Sequence, residues 1–406
     1  MSPDGLTTSD TSKASPFVGC PSDDAHAVER TDSAITHNAK LAVFTSQLGA
    51  SFITRHVEDL LPGQTVVVAR YSGHPLGGFY KAVCPVFFLD RWAVSPFVRM
   101  ARRVGVSSVR LRNAAVERFL HKHSVTVVLG EFLDQFVDFV PLIDRMGLPY
   151  VVQGHGVDVS ASLREPRMAE RYLSYKSALA VLTRSEFHRQ RLIRLGLPSE
   201  QVHVNRGGIN VLVEPPRKSS KKRFLAIGRM APKKGPIYLL EAFRRAAERD
   251  TEITLDFIGD GPLFSGARQF VDACGLGNRV HLHGSVSEGT KVRLLLECSV
   301  LIQHSITDPE SGDEEGFPAS IQEAMGYGMA IISTRHAGIP EGVKEGVNGW
   351  LVDEGDVENM AVAILRAPLS CKVFGLASHQ LAITEHDWPS EKRRLTHWLG
   401  FHNNQR

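Results

Sequence analysis

The sequence predicts an α/β protein in which two β/α/β domains face each other across a cleft. Three observations carry this. The chain has 406 residues, more than one ordinary hydrophobic core organises. Short apolar, β-branched runs alternate with helical faces in two successive series, over 40–214 and 215–384. Between them Glu214-Pro215-Pro216-Arg217-Lys218-Ser219-Ser220-Lys221-Lys222-Arg223 is polar, basic and aperiodic, and reads as a linker. Ligands of such sheets lie at the carboxyl ends of strands, so the cleft between facing ends is the expected site.

The first series opens with the strand Leu41 to Phe44, a small-residue turn Ser46 to Ser51, and a helix face marked by Phe52, Ile53, His56, Val57 and Leu60. Strands follow at Thr65 to Ala69, Val125 to Leu129 and Tyr150 to Val152, with an apolar helix from Phe132 to Met146 before the last of these. Ala178 to Leu182 is the next strand. Ser185 then caps a helix through Leu195, which Gly196-Leu197-Pro198 stops. Val202 to Asn205 ends this half.

The second series begins with the strand Phe224 to Ile227 and a helix whose Leu240, Phe243 and Ala247 share a face. Ile253 to Ile258 is a strand, a helix ends near Cys274-Gly275, and Val280 to Leu282, Val300 to Ile302 and Met329 to Ser333 are further strands. A helix within 385–406 is expected to complete the first domain. Residues 1–39, rich in Ser, Thr, Asp and Ala and without an apolar h-region, read as a disordered extension rather than a signal peptide.

Composition narrows the function. Apolar content of 43% and charged content of 22% are those of a globular chain, and a net charge of +3 sets up no global field for nucleic acid. The five cysteines, Cys20, Cys84, Cys274, Cys298 and Cys371, include no Cys-x-x-Cys pair, which argues for reduced thiols in a cytoplasm rather than disulfides or a zinc site. No run of eighteen apolar residues occurs, so no membrane span is expected.

Chemistry concentrates in the stretch from Glu315 to Gly328, read as a loop turning into a short helix. Pro318 suits the first helical position, and Gly316 lets the loop backbone approach a ligand closely. The first-turn amides present a positive end to an anion or hydroxyl. Glu315 lies ahead of that end and Glu323 over one turn inside the helix. A carboxylate accepts two hydrogen bonds at once, which suits the vicinal hydroxyls of a hexose or a ribose.

Gly228-Arg229-Met230-Ala231-Pro232-Lys233-Lys234-Gly235 follows the second domain's first strand. Its Arg and Lys suit a diphosphate at a helix N-terminus. Gly259-Asp260-Gly261-Pro262-Leu263 is not a dinucleotide turn, because Phe264 occupies the third glycine's place. His281 and His283 share a strand face without a third ligand and read as structural. His155-Gly156-Val157-Asp158 follows a strand of the first domain and would face the second across the cleft. The acidic run Thr307 to Glu315 contains no Asp-x-Asp, and Arg229 with Lys234 can neutralise a leaving diphosphate, so no metal is expected.

In the segment 81–123, Lys81, Arg91, Arg99, Arg102, Arg103, Arg110, Arg112, Arg118 and Lys122 outweigh Asp90 and Glu117. Phe87, Phe88, Trp92, Phe97 and Val98 are interleaved among them. This suits either an anionic bilayer surface or a solvated helix pair packed on the sheet.

The phrase from Glu315 to Gly328 resembles the Glu-x7-Glu signature of retaining GT-B glycosyltransferases, in particular glycosyltransferase family 4. The resemblance runs from about His155 to Asp356. It implies a GT-B fold of two Rossmann-like domains, with Glu315 holding the transferred sugar and Glu323 the nucleotide ribose. Gly316, Phe317 and Pro318 would line the donor. Arg229 and Lys234 would grip its diphosphate, Lys234 rather than Lys233 because the family's Lys directly precedes the Gly. Gly261 would lie beside the nucleotide, the backbone of Val286 would touch the base, and His155 would contact the donor sugar.

Within that family, Gln153 to Ser160 and the acidic loop resemble bacterial exopolysaccharide transferases of the colanic acid and amylovoran type. The resemblance implies a nucleotide-diphosphate sugar as co-substrate, no cofactor or metal, and a saccharide or lipid-linked saccharide acceptor. It also implies a cytoplasmic enzyme, peripheral at the inner face of the plasma membrane, with no nucleic-acid partner. Asn210 stands where relatives often have Asp, and the amino-terminal loop lacks the usual Gly-Gly pair; both bear on the acceptor. Two rival readings are a sugar-nucleotide epimerase on the same fold and a non-catalytic partner subunit of another transferase.

Overall fold

The computed structural model describes residues 40–46, 48, 51–73, 83–103, 106–218 and 222–401. The expected extension 1–39 lies outside the described residues. So do Gln47, Gly49 and Ala50 of the first turn, Lys81 of the basic segment, and Ser219, Ser220 and Lys221 of the linker.

The first half is built from β1 (Leu41–Thr45), α1 (Ser51–Glu58), β2 (Thr65–Ala69), β3 (Val86–Phe88), α2 (Leu89–Ala93), α3 (Pro96–Arg103), α4 (Ser108–Lys122) and β4 (Val127–Glu131). It continues through α5 (Leu133–Phe136), α6 (Val140–Arg145), β5 (Tyr150–Gln153), α7 (Pro166–Tyr172), β6 (Ala180–Thr183), α8 (Glu186–Leu195) and β7 (Val202–Val204). The seven strands are parallel, in the order β3-β2-β1-β4-β5-β6-β7. Leu41 pairs with Thr65 on one side and Val127 on the other. β1, β2, β4, β5 and β6 are buried throughout, as expected of strands covered on both faces.

The second half runs β8 (Arg223–Ile227), α9 (Pro236–Arg249), β9 (Thr254–Ile258), α10 (Phe264–Ala273), β10 (Val280–Gly284), α11 (Glu288–Glu297) and β11 (Val300–Ile302). Then come α12 (Ala319–Gly326), β12 (Ala330–Thr334), α13 (Ile339–Gly342), β13 (Gly349–Val352), α14 (Val357–Glu385) and α15 (Trp388–Trp398). Its six parallel strands are ordered β10-β9-β8-β11-β12-β13. In both sheets the strand order reverses once, between β1 and β4 and between β8 and β11. Such a switch point opens a crevice at the strands' carboxyl ends.

α8 begins and ends where the sequence predicts. The Ser185 side chain accepts from the His188 amide, and Gly196 closes the helix in the left-handed conformation. The single helix expected from Phe132 to Met146 is instead two, α5 and α6. Pro141 stands in the first turn of α6; it has no N–H, and its ring would clash with the carbonyl a turn earlier in a continuous helix. Edge strands β3 and β13, of three and four residues, were not read from the sequence.

α14, with 29 residues, is long and apolar enough to cross a membrane by length and composition. Its Met360, Ala361, Ile364 and Ala367 nevertheless pack with Phe243 and Ala246 of α9 in a core of the second sheet. The chain then crosses back. The Ile209 amide donates to the His386 carbonyl and the Ile209 carbonyl accepts from the Trp388 amide, each at 2.8 Å, and Trp388, Leu395 and Leu399 join Leu41, Val43 and Ile53 in a core of the first sheet.

Candidate functional site

A cavity of about 360 Å³ lies between the carboxyl ends of the two sheets. The first sheet contributes Phe52, Arg55, His155, Arg184 and Arg206, and the second contributes Arg229, Lys234, Lys291, Glu315 and Glu323. Cations therefore outnumber carboxylates along its wall. A cavity so charged attracts an anion, and its walls of low dielectric strengthen the attraction.

The loop and short helix from Glu315 to Gly328 form as read, with one shift. Pro318 is the N-cap of α12, with extended ψ, rather than its first helical residue. Its carbonyl accepts from the Ile321 amide at 3.1 Å. Glu315 is buried, 3.0 Å from Lys234 Nζ and 3.7 Å from Lys233 Nζ. Burial works to raise its pKa, but Lys234 and Lys233 prevail and hold it below the ordinary value. One turn into α12, both oxygens of Glu323 stand 3.2 Å from Lys291 Nζ on α11. Burial lowers the Lys291 pKa, and Glu323 and Glu288 more than reverse it.

Gly316 has a different duty from the one expected. A Cβ there would stand 2.7 Å from Arg184 Cβ and 2.8 Å from the His155 carbonyl. The approach of the first domain, not of a ligand, fills this space. Phe317 borders the cavity, but its ring belongs to a core of the second sheet and stacks on His386 at 5.1 Å.

Gly235, in the left-handed region, lets the chain turn from the short 3₁₀ helix of Pro232–Lys234 into α9. A side chain there would collide with the His304 carbonyl. Arg229 is exposed at the cavity and forms no ion pair among the described residues. Lys233 instead faces Asp313 Oδ1 at 3.0 Å and the Glu314 carbonyl at 3.3 Å. Gly261, after β9, and Val286, after β10, are not among the residues that line this cavity. Gly261 is pressed against the Met230 carbonyl, and Val286 packs on the second core. His283 Nε2 donates to the Asp256 carboxylate at 2.7 Å, a structural pairing.

His155 follows β5. Asp158 shapes its loop by accepting from the amides of His155 and Gly156 with one oxygen and of Leu133 with the other. Both ring nitrogens are engaged: Nε2 is 2.6 Å from Glu131, and Nδ1 accepts from Arg184 Nε at 3.2 Å. The ring lies between Phe52 and Phe132, at centroid distances of 4.7 and 4.5 Å. Polar contact with a donor sugar requires one of those partners to yield.

Sequence reasoning missed Lys291, Arg184, Arg55, Arg206 and Glu131 as site residues. The available signal was position alone: Glu131 and Arg184 each stand where an apolar strand ends.

The domains also meet outside the cavity. Glu341 of α13 accepts from the Glu186 and Phe187 amides at 2.9 and 3.1 Å and pairs with Arg206 at 2.7 Å. Glu314 pairs with Arg191 of α8 at 2.7 Å.

Residues 212–370 match the family described as Glycosyl transferases group 1. This stretch is therefore similar to a group 1 glycosyltransferase domain. It holds Arg229, Lys234, Lys291, Glu315 and Glu323. The chain is 31% identical over 224 residues to the amylovoran biosynthesis glycosyltransferase AmsK of Erwinia amylovora, covering 52% of this chain and 53% of that one. It is 28% identical over 212 residues to the putative colanic acid biosynthesis glycosyltransferase WcaL of Escherichia coli K12, covering 51% and 52%.

The chain spans about half the length of the curated relatives it matches. Anabaena HepE, solved in complex with UDP, superposes with a TM-score of 0.68 over 88% of this chain and 98% of that one, at 17% identity. The lipopolysaccharide outer core galactosyltransferase WaaB superposes with a TM-score of 0.62 over 88% and 98%, at 18% identity. Two parallel-sheet domains with these neighbours make the fold GT-B.

Proposed function

We propose that the chain is a retaining glycosyltransferase that moves a hexose from a nucleotide-diphosphate sugar to a saccharide acceptor, lipid-linked, in exopolysaccharide or cell-surface glycan synthesis. The observation that carries this reading is one cavity in which Glu315 and Glu323 each face a lysine while Arg229 stands unpaired. In this reading Arg229 and Lys234 take the diphosphate and stabilise its growing charge as the sugar leaves. Glu323 and Lys291 hold the ribose, and Glu315 holds the sugar. Charge on the leaving group is met by the protein's own cations, so no metal is required. The named activities of AmsK and WcaL support the exopolysaccharide assignment, and cytoplasmic synthesis beside the inner membrane face follows from it.

Screening UDP-, GDP- and ADP-sugars for thermal stabilisation identifies the donor, since a ligand of the native state raises the melting midpoint. The stabilising donor should then yield free nucleoside diphosphate only with acceptor, in the presence of EDTA. Isomerised donor without acceptor would favour an epimerase, and a requirement for Mn²⁺ or Mg²⁺ would contradict the metal-independent reaction.

A further inference from the structure

Glu131 and Glu391, buried carboxylates that the proposed transfer does not use, close a ring of ionisable side chains around His155. Glu131 joins His155 Nε2 through one oxygen and His56 Nδ1 through the other, each at 2.6 Å. His56 Nε2 stands 3.5 Å from Glu391 Oε1, which is 3.4 Å from Arg184 Nη1. Arg184 Nε returns to His155 Nδ1. The members come from α1, the end of β4, the loop after β5, the end of β6 and α15. The side chains of His56, Glu131 and Glu391 are wholly buried, and those of Arg184 and His155 are 7% and 11% exposed.

Each proton in the ring has a place. A guanidinium donates only, so Nδ1 of His155 is an acceptor and its proton sits on Nε2, donated to Glu131. His56, between two carboxylates, is an imidazolium: burial alone would lower its pKa, but Glu131 and Glu391 raise it to about 9. Burial, then Arg184, lower the pKa of His155 and keep it neutral. Two carboxylates, one imidazolium and one guanidinium sum to zero charge. Asn205 steadies Glu391, donating to it at 3.1 Å. Buried ion pairs seldom stabilise more than apolar residues of equal volume, so stability alone does not account for the ring. Its two outward members, His155 and Arg184, both line the cleft cavity.

We propose that Glu131 and Glu391 are positioning residues for sugar transfer, holding His155 as its Nε2–H tautomer and the Arg184 guanidinium as a fixed wall of the donor cavity. Glu391 of the C-terminal helix thus acts on the cleft through Arg184 and His56. The kinetic consequence rests on the transferase reading; the proton assignment does not.

Long-range ¹H–¹⁵N spectra of the full chain, assigned with His155→Gln and His56→Gln, test it. Near neutral pH, His155 should be neutral with Nδ1 unprotonated and His56 doubly protonated. A proton on His155 Nδ1, or a neutral His56, would overturn the ring. Glu391→Gln should move the His56 titration to lower pH, with Glu131 still paired to it, and lower kcat about tenfold to a hundredfold, as expected of misplaced groups, with nucleotide Kd changed less than about twofold. Glu391→Asp, keeping the charge, should recover part of kcat and of the His56 titration. A lower melting temperature in Glu391→Gln with unchanged kcat and unchanged His56 titration would show a merely structural role and overturn the proposal. Absence of transfer by the wild type with the expected tautomers would count against the transferase reading and in favour of the ring.

Discussion

Lys291 holds both carboxylate oxygens of Glu323 at 3.2 Å, so the carboxylate expected to grip the ribose is already oriented in the free protein. Lys291→Met should therefore weaken binding of the free nucleotide about tenfold, the scale of a charged hydrogen bond, and Glu323→Gln should do likewise. Both should leave kcat within about threefold, because interactions equal in ground and transition states change binding rather than turnover. Calorimetry with the nucleoside diphosphate checks the first expectation and saturating kinetics the second. A large kcat loss at unchanged affinity would reverse the assignment.

Glu315 should behave oppositely. Clamped by Lys234 and Lys233, it is held as an anion, and in the proposed reading it faces the positive charge that develops on the sugar. Glu315→Gln should cut kcat by at least about a hundredfold, a preorganised electrostatic contact having been lost, with nucleotide affinity changed little. Circular dichroism should show the variant folded. Comparable losses in affinity and turnover would remove Glu315 from the reacting end.

The buried ring makes stability depend on pH in a stated window. His56 rises from an ordinary 6.5 to about 9, so its contribution is complete below about pH 6.5 and is lost as pH climbs through 9. Glu391 falls from 4.5 to about 2, so its contribution is complete above pH 4.5 and is lost as pH falls through 2. The two overlap fully between about pH 4.5 and 6.5. Melting curves of wild type and His56→Gln should differ most there and converge towards pH 9. A gap that widens with rising pH would contradict the sign.

Glu341 serves as an N-terminal cap for α8 although it belongs to the other domain. Glu341→Ala should open the cleft, raising the radius of gyration in small-angle scattering without nucleotide, and lower stability by about 1 kcal/mol, the usual cost of a lost cap. Unchanged scattering would show that other contacts alone hold the domains together.

The basic segment gives a further test. Arg91, Arg99, Arg103 and Arg110 are exposed beside exposed Val94, Met100 and Val109, the composition that suits an anionic bilayer. Binding to phosphatidylglycerol-containing vesicles should fall with added salt, and reversing charge at Arg99 and Arg103 should abolish it while sparing nucleotide affinity. Salt-independent binding, or none, would make the segment an ordinary solvated surface.

What the sequence disclosed, and what it hid, follows from how each feature is encoded. The inner strands were legible because burial on both faces demands unbroken apolar runs such as Thr65 to Ala69. α8 was legible because Ser185 and Gly196 are local punctuation. Glu315 and Glu323, or Arg229 and Lys234, sit within single phrases and bring their own context. Lys291, Arg184, Glu131 and Glu391 carry no such phrase, since their meaning arises only when separate elements converge. The break at Pro141 was written in the chain, but apolar periodicity masked it. β3 and β13 are too short for alternation to register.

The return of α15 into the first core sets an order of assembly during synthesis. The amino-terminal half leaves the ribosome first, yet its core lacks Trp388, Leu395 and Leu399 until the last helix emerges. The second sheet, whose cores draw on residues no later than Ala382, can close beforehand. Domains usually mature from the amino terminus during translation. Here one face of the first sheet can close early, from residues no later than Val202, while the other stays uncovered until Trp388, Leu395 and Leu399 have been made.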